Sequence, residues 1–213
     1  MKRVVREGGF DDVFDSQAAF RALLDALSRP GKVRRLPACS YTGAPEGFCP
    51  PSLTIMKTLC DHRVSFSLVP RETALERYLE VNLAAPYEGV ENADYVIFSG
   101  SSFDEGFMRL KRGSPEFPES SATALLCVGS LAEGALDTAP GTTPDAAGPS
   151  CRLALSGPGV QDKAFLTVTG FDPRYGEARA RTNNVSPMGI DLFLVDTGGR
   201  VAGIPRTSVV EIS

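Results

Sequence analysis

Ala122-Thr123-Ala124-Leu125-Leu126-Cys127-Val128 is apolar at nearly every position. A strand with one face in water alternates polar and apolar side chains, whereas a strand covered on both faces does not. This stretch therefore predicts a central strand of a sheet. Shorter strand patterns surround it: Val64-Ser65-Phe66-Ser67-Leu68, Tyr95-Val96-Ile97-Phe98, Arg152-Leu153-Ala154-Leu155-Ser156 and Phe165-Leu166-Thr167-Val168-Thr169. Near the end, Ile190 to Val195 and Arg200 to Ile204 flank Asp196-Thr197-Gly198-Gly199 and read as a hairpin.

Helical patterns alternate with these strands. Phe20, Leu23, Leu24 and Leu27 recur at helical period and predict an inward apolar stripe, with Asp15 or Ser16 as cap and Arg29-Pro30-Gly31 as terminator. A second helix is expected after Pro50-Pro51, capped by Ser52, with Leu53, Met56, Leu59 and Cys60 inward. Arg71 to Asn82 and Pro173 to Asn184 complete the helices. The stretch 131–150, rich in Gly, Pro, Ala and Thr, suits a surface loop. No repeat and no linker composition interrupts the pattern, so residues 1–213 are read as one α/β domain.

Composition narrows the function. With 213 residues, 42% hydrophobic and 23% charged, the chain is long and apolar enough to bury a core. A net charge of -4 and pI near 5.1 argue against non-specific nucleic-acid binding. No apolar run approaches the ~20 residues of a membrane helix, and Met1 to Gly9 carries no secretory h-region. The five cysteines form no C-x-x-C pair, which points to reduced thiols in a cytosolic protein rather than to a zinc or redox motif.

No self-sufficient catalytic motif is present: no phosphate loop, dinucleotide fingerprint, zinc-protease helix or nucleophile elbow. The single histidine, His62, reads as a surface or structural residue rather than a general base. Ser156-Gly157-Pro158-Gly159 follows a strand directly. Gly157 and Gly159 could shape an anion nest, or simply a turn, since Pro158 removes one donor. Arg179 and Arg181 beside Asn183 and Asn184, and Arg206 in Pro205-Arg206-Thr207, have the fork geometry for phosphate oxygens, or for acidic neighbours within the protein. Glu119 with Ser120 and Ser121 suits a structural cap better than a ligand. Asp191 sits in an otherwise apolar strand and must find a backbone N–H or an arginine.

Taken in order, these segments resemble the PhnH family of phosphonate metabolism. The match runs from Gly9-Phe10-Asp11-Asp12-Val13-Phe14-Asp15-Ser16-Gln17 and Phe20 to Gly31, through Pro118 to Thr123 and Leu155 to Gly159, to Pro187-Met188-Gly189-Ile190-Asp191-Leu192 and Ile204-Pro205-Arg206-Thr207-Ser208. Each piece is weak alone, but their order spans nearly the whole chain. Two departures stand out: Ser186 and Met188 replace the phenylalanine and leucine usual around the C-terminal Pro-Gly, and the 131–150 stretch is long.

The resemblance implies a subunit of the carbon–phosphorus lyase core complex, with PhnG-, PhnI- and PhnJ-like partners. That assembly is implicated in replacing the adenine of ATP with an alkylphosphonate. It also implies a three-layer α/β/α fold with a mixed sheet, similar to pyridoxal-phosphate-dependent transferases but without the cofactor or its lysine. No cofactor, metal or radical-cluster cysteine set is expected. An accessory subunit, self-pairing when isolated, is the favoured reading. The alternative is a stand-alone phosphate- or nucleotide-binding transferase-like enzyme using Gly157, Gly159, Arg179, Asp191 and Arg206.

Overall fold

The computed structural model describes residues 9–41, 43–45, 48–134 and 150–212. In chain order the elements are α1 (Phe14–Ser28), β1 (Arg34–Arg35), α2 (Pro50–Leu59), β2 (Phe66–Val69), α3 (Thr73–Leu83), β3 (Tyr95–Ser99), β4 (Thr123–Val128), β5 (Ser130–Glu133), β6 (Ser150–Ser156), β7 (Ala164–Thr169), α4 (Arg174–Thr182), β8 (Asp191–Asp196), β9 (Arg200–Ile204) and β10 (Val209–Ile212). Two 3₁₀ turns, Glu105–Arg109 and Pro118–Ser120, lie between β3 and β4.

The strands form two sheets. The larger is mixed, in the order β1-β9-β8-β4-β3-β2, with β2, β3, β4 and β8 parallel and the β8–β9 hairpin turning back antiparallel. The smaller is antiparallel, in the order β10-β6-β7-β5. As expected, β4 is interior, paired with β3 on one side and β8 on the other. Its side chains divide between two cores. Leu125 faces a cluster with Leu23, Leu53, Met56 and Leu79 of the first three helices, and Ala124, Leu126 and Val128 face a cluster with Leu153, Leu155, Leu166 and Val168 of the small sheet. A strand buried on both sides has no polar face to show, which is why its sequence does not alternate.

The layering departs from the expected α/β/α. Helices α1–α3 cover one face of the mixed sheet, but the other is covered mainly by the small sheet, with α4 and the Glu105–Arg109 turn beside it. The reason is visible in β6, whose inward Cys151, Leu153 and Leu155 alternate with partly exposed residues. Such a one-sided strand packs its apolar face on another sheet as readily as on a helix.

α1 is also rotated from the expected face. Ala19, Leu23 and Ala26 are buried, Leu27 is half-buried, and Phe20 and Leu24 point outward. Close approach to β9 decides this. A Cβ on Gly203 would lie 2.7 Å from the Leu27 nitrogen and 2.8 Å from the Ala26 carbonyl carbon, so the small-residue face of the helix sits on a glycine. The cap differs too. Asp11 accepts from the N–H groups of Val13 and Phe14 at 2.9 and 2.8 Å, while its own N–H donates to Asp15 at 2.8 Å. These bonds start the helix at Phe14 and hold the Asp11 carboxyl below its usual range. Ser52 lies inside α2, its hydroxyl donating back to the Cys49 carbonyl at 2.7 Å.

β1 and β10 were not expected, and residues 131–133, expected to begin the surface loop, belong instead to β5, which pairs with β7. The rest of the expected loop, 135–149, lies outside the described residues. No helix among the described residues is long and apolar enough to cross a membrane.

Candidate functional site

Three of the residues singled out in the sequence meet at one place. The segment Pro205–Ser208, between β9 and β10, is held by two arginines, one from α4 and one of its own. Arg179, on the buried face of α4 and only 3% exposed, donates to the Ser208 carbonyl at 2.9 Å and the Pro205 carbonyl at 2.6 Å. Its Nε is buried without a partner, and burial lowers its pKa to about 10. Arg206 forks onto Asp191, from Nη2 at 2.6 Å and Nε at 3.3 Å, and reaches the Pro118 carbonyl with Nη1. Asp191 also accepts the Arg206 backbone N–H at 2.7 Å. The acid in the apolar strand thus finds both an N–H and an arginine.

Asn183 completes the clamp. Its carboxamide accepts from Ile190 N–H at 2.9 Å and donates to the Ile190 and Arg206 carbonyls at 3.0 and 3.3 Å. The motif pieces Pro118, Asn183, Ile190-Asp191 and Pro205-Arg206, scattered in sequence, are therefore one hydrogen-bonded junction. The polar groups of Asp191 and Arg206 are engaged within the chain, as are both Nη atoms of Arg179.

The two glycines are placed apart from the guanidinium groups. Gly157 has φ 122° and backs onto the same segment, where a Cβ would meet the Thr207 carbonyl at 3.0 Å. Gly159, φ 83°, backs onto the end of α1, where a Cβ would lie 2.5 Å from the Ser28 carbonyl oxygen. The open side of this turn is filled by the protein's own backbone, and Val160 N–H closes it onto the Gly157 carbonyl at 3.1 Å. Both glycines are needed because an L side chain tolerates neither the φ nor the contact. His62 is exposed in the turn between α2 and β2.

Arg181 is not in the clamp. It lies on the outer side of α4 and lines a groove of about 430 Å³ with Phe103, Met108, Arg109, Arg174 and Glu177. Arg174 is tied down there by Asp172 at 2.7 Å and stacks over Phe103. The pairing, with N–H bonds from Arg174 and Phe103, draws the Asp172 carboxyl down to about 2.

A second cavity has no counterpart in the sequence reading. The four parallel strands end together at Val69-Pro70, Ser99, Cys127-Val128 and Thr197. With Phe48, Cys49 and Leu75 over them, they line a crevice of about 300 Å³. Crevices at the carboxyl ends of parallel strands are where open α/β sheets bind ligands. This one is lined by apolar side chains, two thiols and two hydroxyls, without a charged group. Each wall comes from a different strand end, so no local motif announces it. The Tyr175 ring of α4 supports it from beneath, with its hydroxyl donating to the Ser99 and Ser102 carbonyls at 3.0 Å each.

The four lysines among the described residues are engaged as well. Lys32 pairs with Glu133, Lys111 with Asp94 and Lys163 with Glu211, and Lys57 lies over the Phe10 ring. Among the described residues no group of three or more His, Cys, Asp or Glu side chains is placed to hold a metal ion.

Comparison with known proteins gives a consistent assignment. Residues 8–211 match the family model described as "Bacterial phosphonate metabolism protein (PhnH)". A protein of Stutzerimonas stutzeri named "Putative C-P lyase subunit protein HtxG" is 33% identical over 196 residues, covering 92% of this chain and 86% of the relative. The "Alpha-D-ribose 1-methylphosphonate 5-triphosphate synthase subunit PhnH" of Rhizobium meliloti (strain 1021) is 26% identical over 211 residues, covering 97% and 96%.

Proposed function

The chain belongs to the PhnH family of bacterial phosphonate metabolism proteins, and from that membership we propose that it works as a subunit of a carbon–phosphorus lyase complex. Its task there is to support formation of an alkylphosphonate ribose 5-triphosphate from ATP and phosphonate, in the cytoplasm, with PhnG-, PhnI- and PhnJ-like partners. The chain alone supplies no catalytic set.

The observation that carries the reading is the outer face of α1. Phe14, Phe20 and Leu24 are 75%, 51% and 58% exposed, with Val13 beside them at 69%. Val13, Phe20 and Leu24 follow one another at helical spacing, so they form a stripe rather than scattered apolar points. An unpartnered stripe on a rigid helix is the expected appearance of a surface covered in an assembly. Each such side chain contributes about 1.5–3 kcal/mol when fully buried.

The pair Phe20→Asp and Leu24→Asp tests it. Neither side chain is in the core, so the fold is kept. Co-purification with the PhnG-, PhnI- and PhnJ-like subunits is expected to be lost, while the melting temperature of the chain stays within a few degrees. Undiminished co-purification would remove α1 as the docking face. Self-association of the isolated chain is tested in the same variants by light scattering.

A further inference from the structure

The crevice at the carboxyl ends of the parallel strands uses neither the outer face of α1 nor the Arg179 clamp. Leu68, Ile97 and Phe98 supply apolar wall, and Ser99, Thr197 and two free thiols supply polar atoms. None of the residues lining it is charged. Its walls are fixed before any ligand arrives. The turn after β3 is tied to β4, where the Gly100 N–H donates to the Cys127 carbonyl at 2.8 Å. It is tied to α4 as well: the Gly100 carbonyl accepts the Asp172 N–H at 2.8 Å, and the Ser99 and Ser102 carbonyls share the Tyr175 hydroxyl. At the start of α2 the Cys49 carbonyl accepts the Ser52 N–H at 2.9 Å and the Ser52 hydroxyl at 2.7 Å.

What this crevice accepts follows from its lining. A phosphate or phosphonate group inside it would meet no cation, and burying an unpaired charge is costly. A plain hydrocarbon would suit the apolar wall but would cover the hydroxyls without bonding them. The Thr197 hydroxyl has no hydrogen-bond partner among the described residues, and the Ser99 hydroxyl, 3.1 Å from that of Ser101, keeps further bonding capacity. A flat heterocycle with its own donors and acceptors satisfies both demands: its faces lie on apolar side chains and its edge reaches the hydroxyls. The volume of about 300 Å³ is at the lower end of the range for small-molecule sites, a size for one end of a nucleotide. Open α/β sheets bind nucleotides in crevices at this position.

We propose that this crevice binds the adenine end of a nucleotide, with the phosphates outside it. The choice of adenine rests on the proposed function, whereas the demand for an uncharged heterocycle rests on the lining alone. Of the two reactants in that function, the phosphonate carries its charge on the reacting group and ATP carries its charge on the phosphates. Adenine is the uncharged ring among their parts. The chain then holds the base at the strand ends while the charged end of the nucleotide projects outward.

The test is saturation-transfer NMR and calorimetry of the intact chain with adenosine, which has the base and sugar but no phosphate. Transfer to the two purine ring protons and a sub-millimolar dissociation constant are expected. Thr197 is exposed at the rim, so its variants keep the fold. Thr197→Trp obstructs the crevice and is expected to weaken adenosine on the order of tenfold or more. Thr197→Val removes one hydroxyl and is expected to weaken it roughly two- to tenfold. Met108→Ser, in the separate groove beside α4, is expected to leave adenosine affinity unchanged. ATP is expected to displace adenosine, and inorganic triphosphate is not. No transfer at millimolar adenosine would overturn the proposal, as would displacement by triphosphate alone or weakening by Met108→Ser instead of the Thr197 variants. Product formation by the reconstituted subunits is a separate measurement: product with no adenosine binding removes only the crevice assignment, and adenosine binding with no product removes only the proposed function.

Discussion

Tyr175→Ala is expected to cost about 3–5 kcal/mol, the range for emptying a fully buried aromatic site. The ring is the centre of an aromatic group, edge-on to Phe98, Phe103 and Phe107 at 6.0, 5.0 and 5.2 Å. Its hydroxyl is the donor for the Ser99 and Ser102 carbonyls. The substitution therefore opens a cavity and leaves two carbonyls without that donor. Tyr175→Phe separates the terms. It keeps the ring and loses only the hydrogen bonds, at about 1–3 kcal/mol. Urea unfolding of the three proteins measures both. A native domain holds only about 5–15 kcal/mol, so the alanine variant is expected to unfold at a markedly lower midpoint. Near-wild-type stability would mean that the aromatic group is not a keystone of the fold.

Arg179→Ala is expected to cost about 3 kcal/mol, with amide exchange accelerated most in β10. The guanidinium is the donor for Pro205 and Ser208. Each buried carbonyl left unsatisfied costs about 1–3 kcal/mol, and the long stem leaves a void. Arg179→Lys is expected to recover little, because one ammonium on a shorter reach does not reproduce a planar fork bonding two carbonyls. A ligand-binding arginine would behave in the opposite way, with stability unchanged or raised on removal of a buried cation. Hydrogen exchange of wild type and both variants distinguishes the two behaviours.

The contrast at Arg179 shows where sequence reasoning stops. Arginine near asparagine in Arg179-Ala180-Arg181-Thr182-Asn183 has the chemistry of a phosphate site, but the α4 register turns Arg179 inward and leaves Arg181 outside. Residue type alone does not separate a fork for a ligand from a fork for the chain's own carbonyls. Asp191 was more legible, because an acid inside Ile190-Asp191-Leu192-Phe193 has few ways to be satisfied.

Elements whose pattern is local were readable. These include the two-faced strand at 123–128, the hairpin around Asp196-Thr197-Gly198-Gly199 and the Pro-Gly end of α1. Features that depend on partners distant in sequence were not. β10 alternates exposed and half-buried residues at a sheet edge and exists through pairing with β6. The small sheet replaces the expected helical layer because one-sided strands such as β6 found each other. Phe20 and Leu24 fit the helical period as well as Ala19 and Ala26 do, and only the approach of Gly203 selects the alanine side. The crevice draws its walls from four strand ends and the approach to α2, which no spacing rule joins.

The proposed dependence of the chain on other subunits is directly measurable. Phosphorus NMR of ATP and methylphosphonate incubated with the purified chain, and with the chain added to the PhnG-, PhnI- and PhnJ-like subunits proposed as its partners, is the decisive comparison. Ribose 1-methylphosphonate 5-triphosphate is expected only in the second sample. Its formation by the chain alone would contradict the assignment of this protein as a subunit completed by its neighbours.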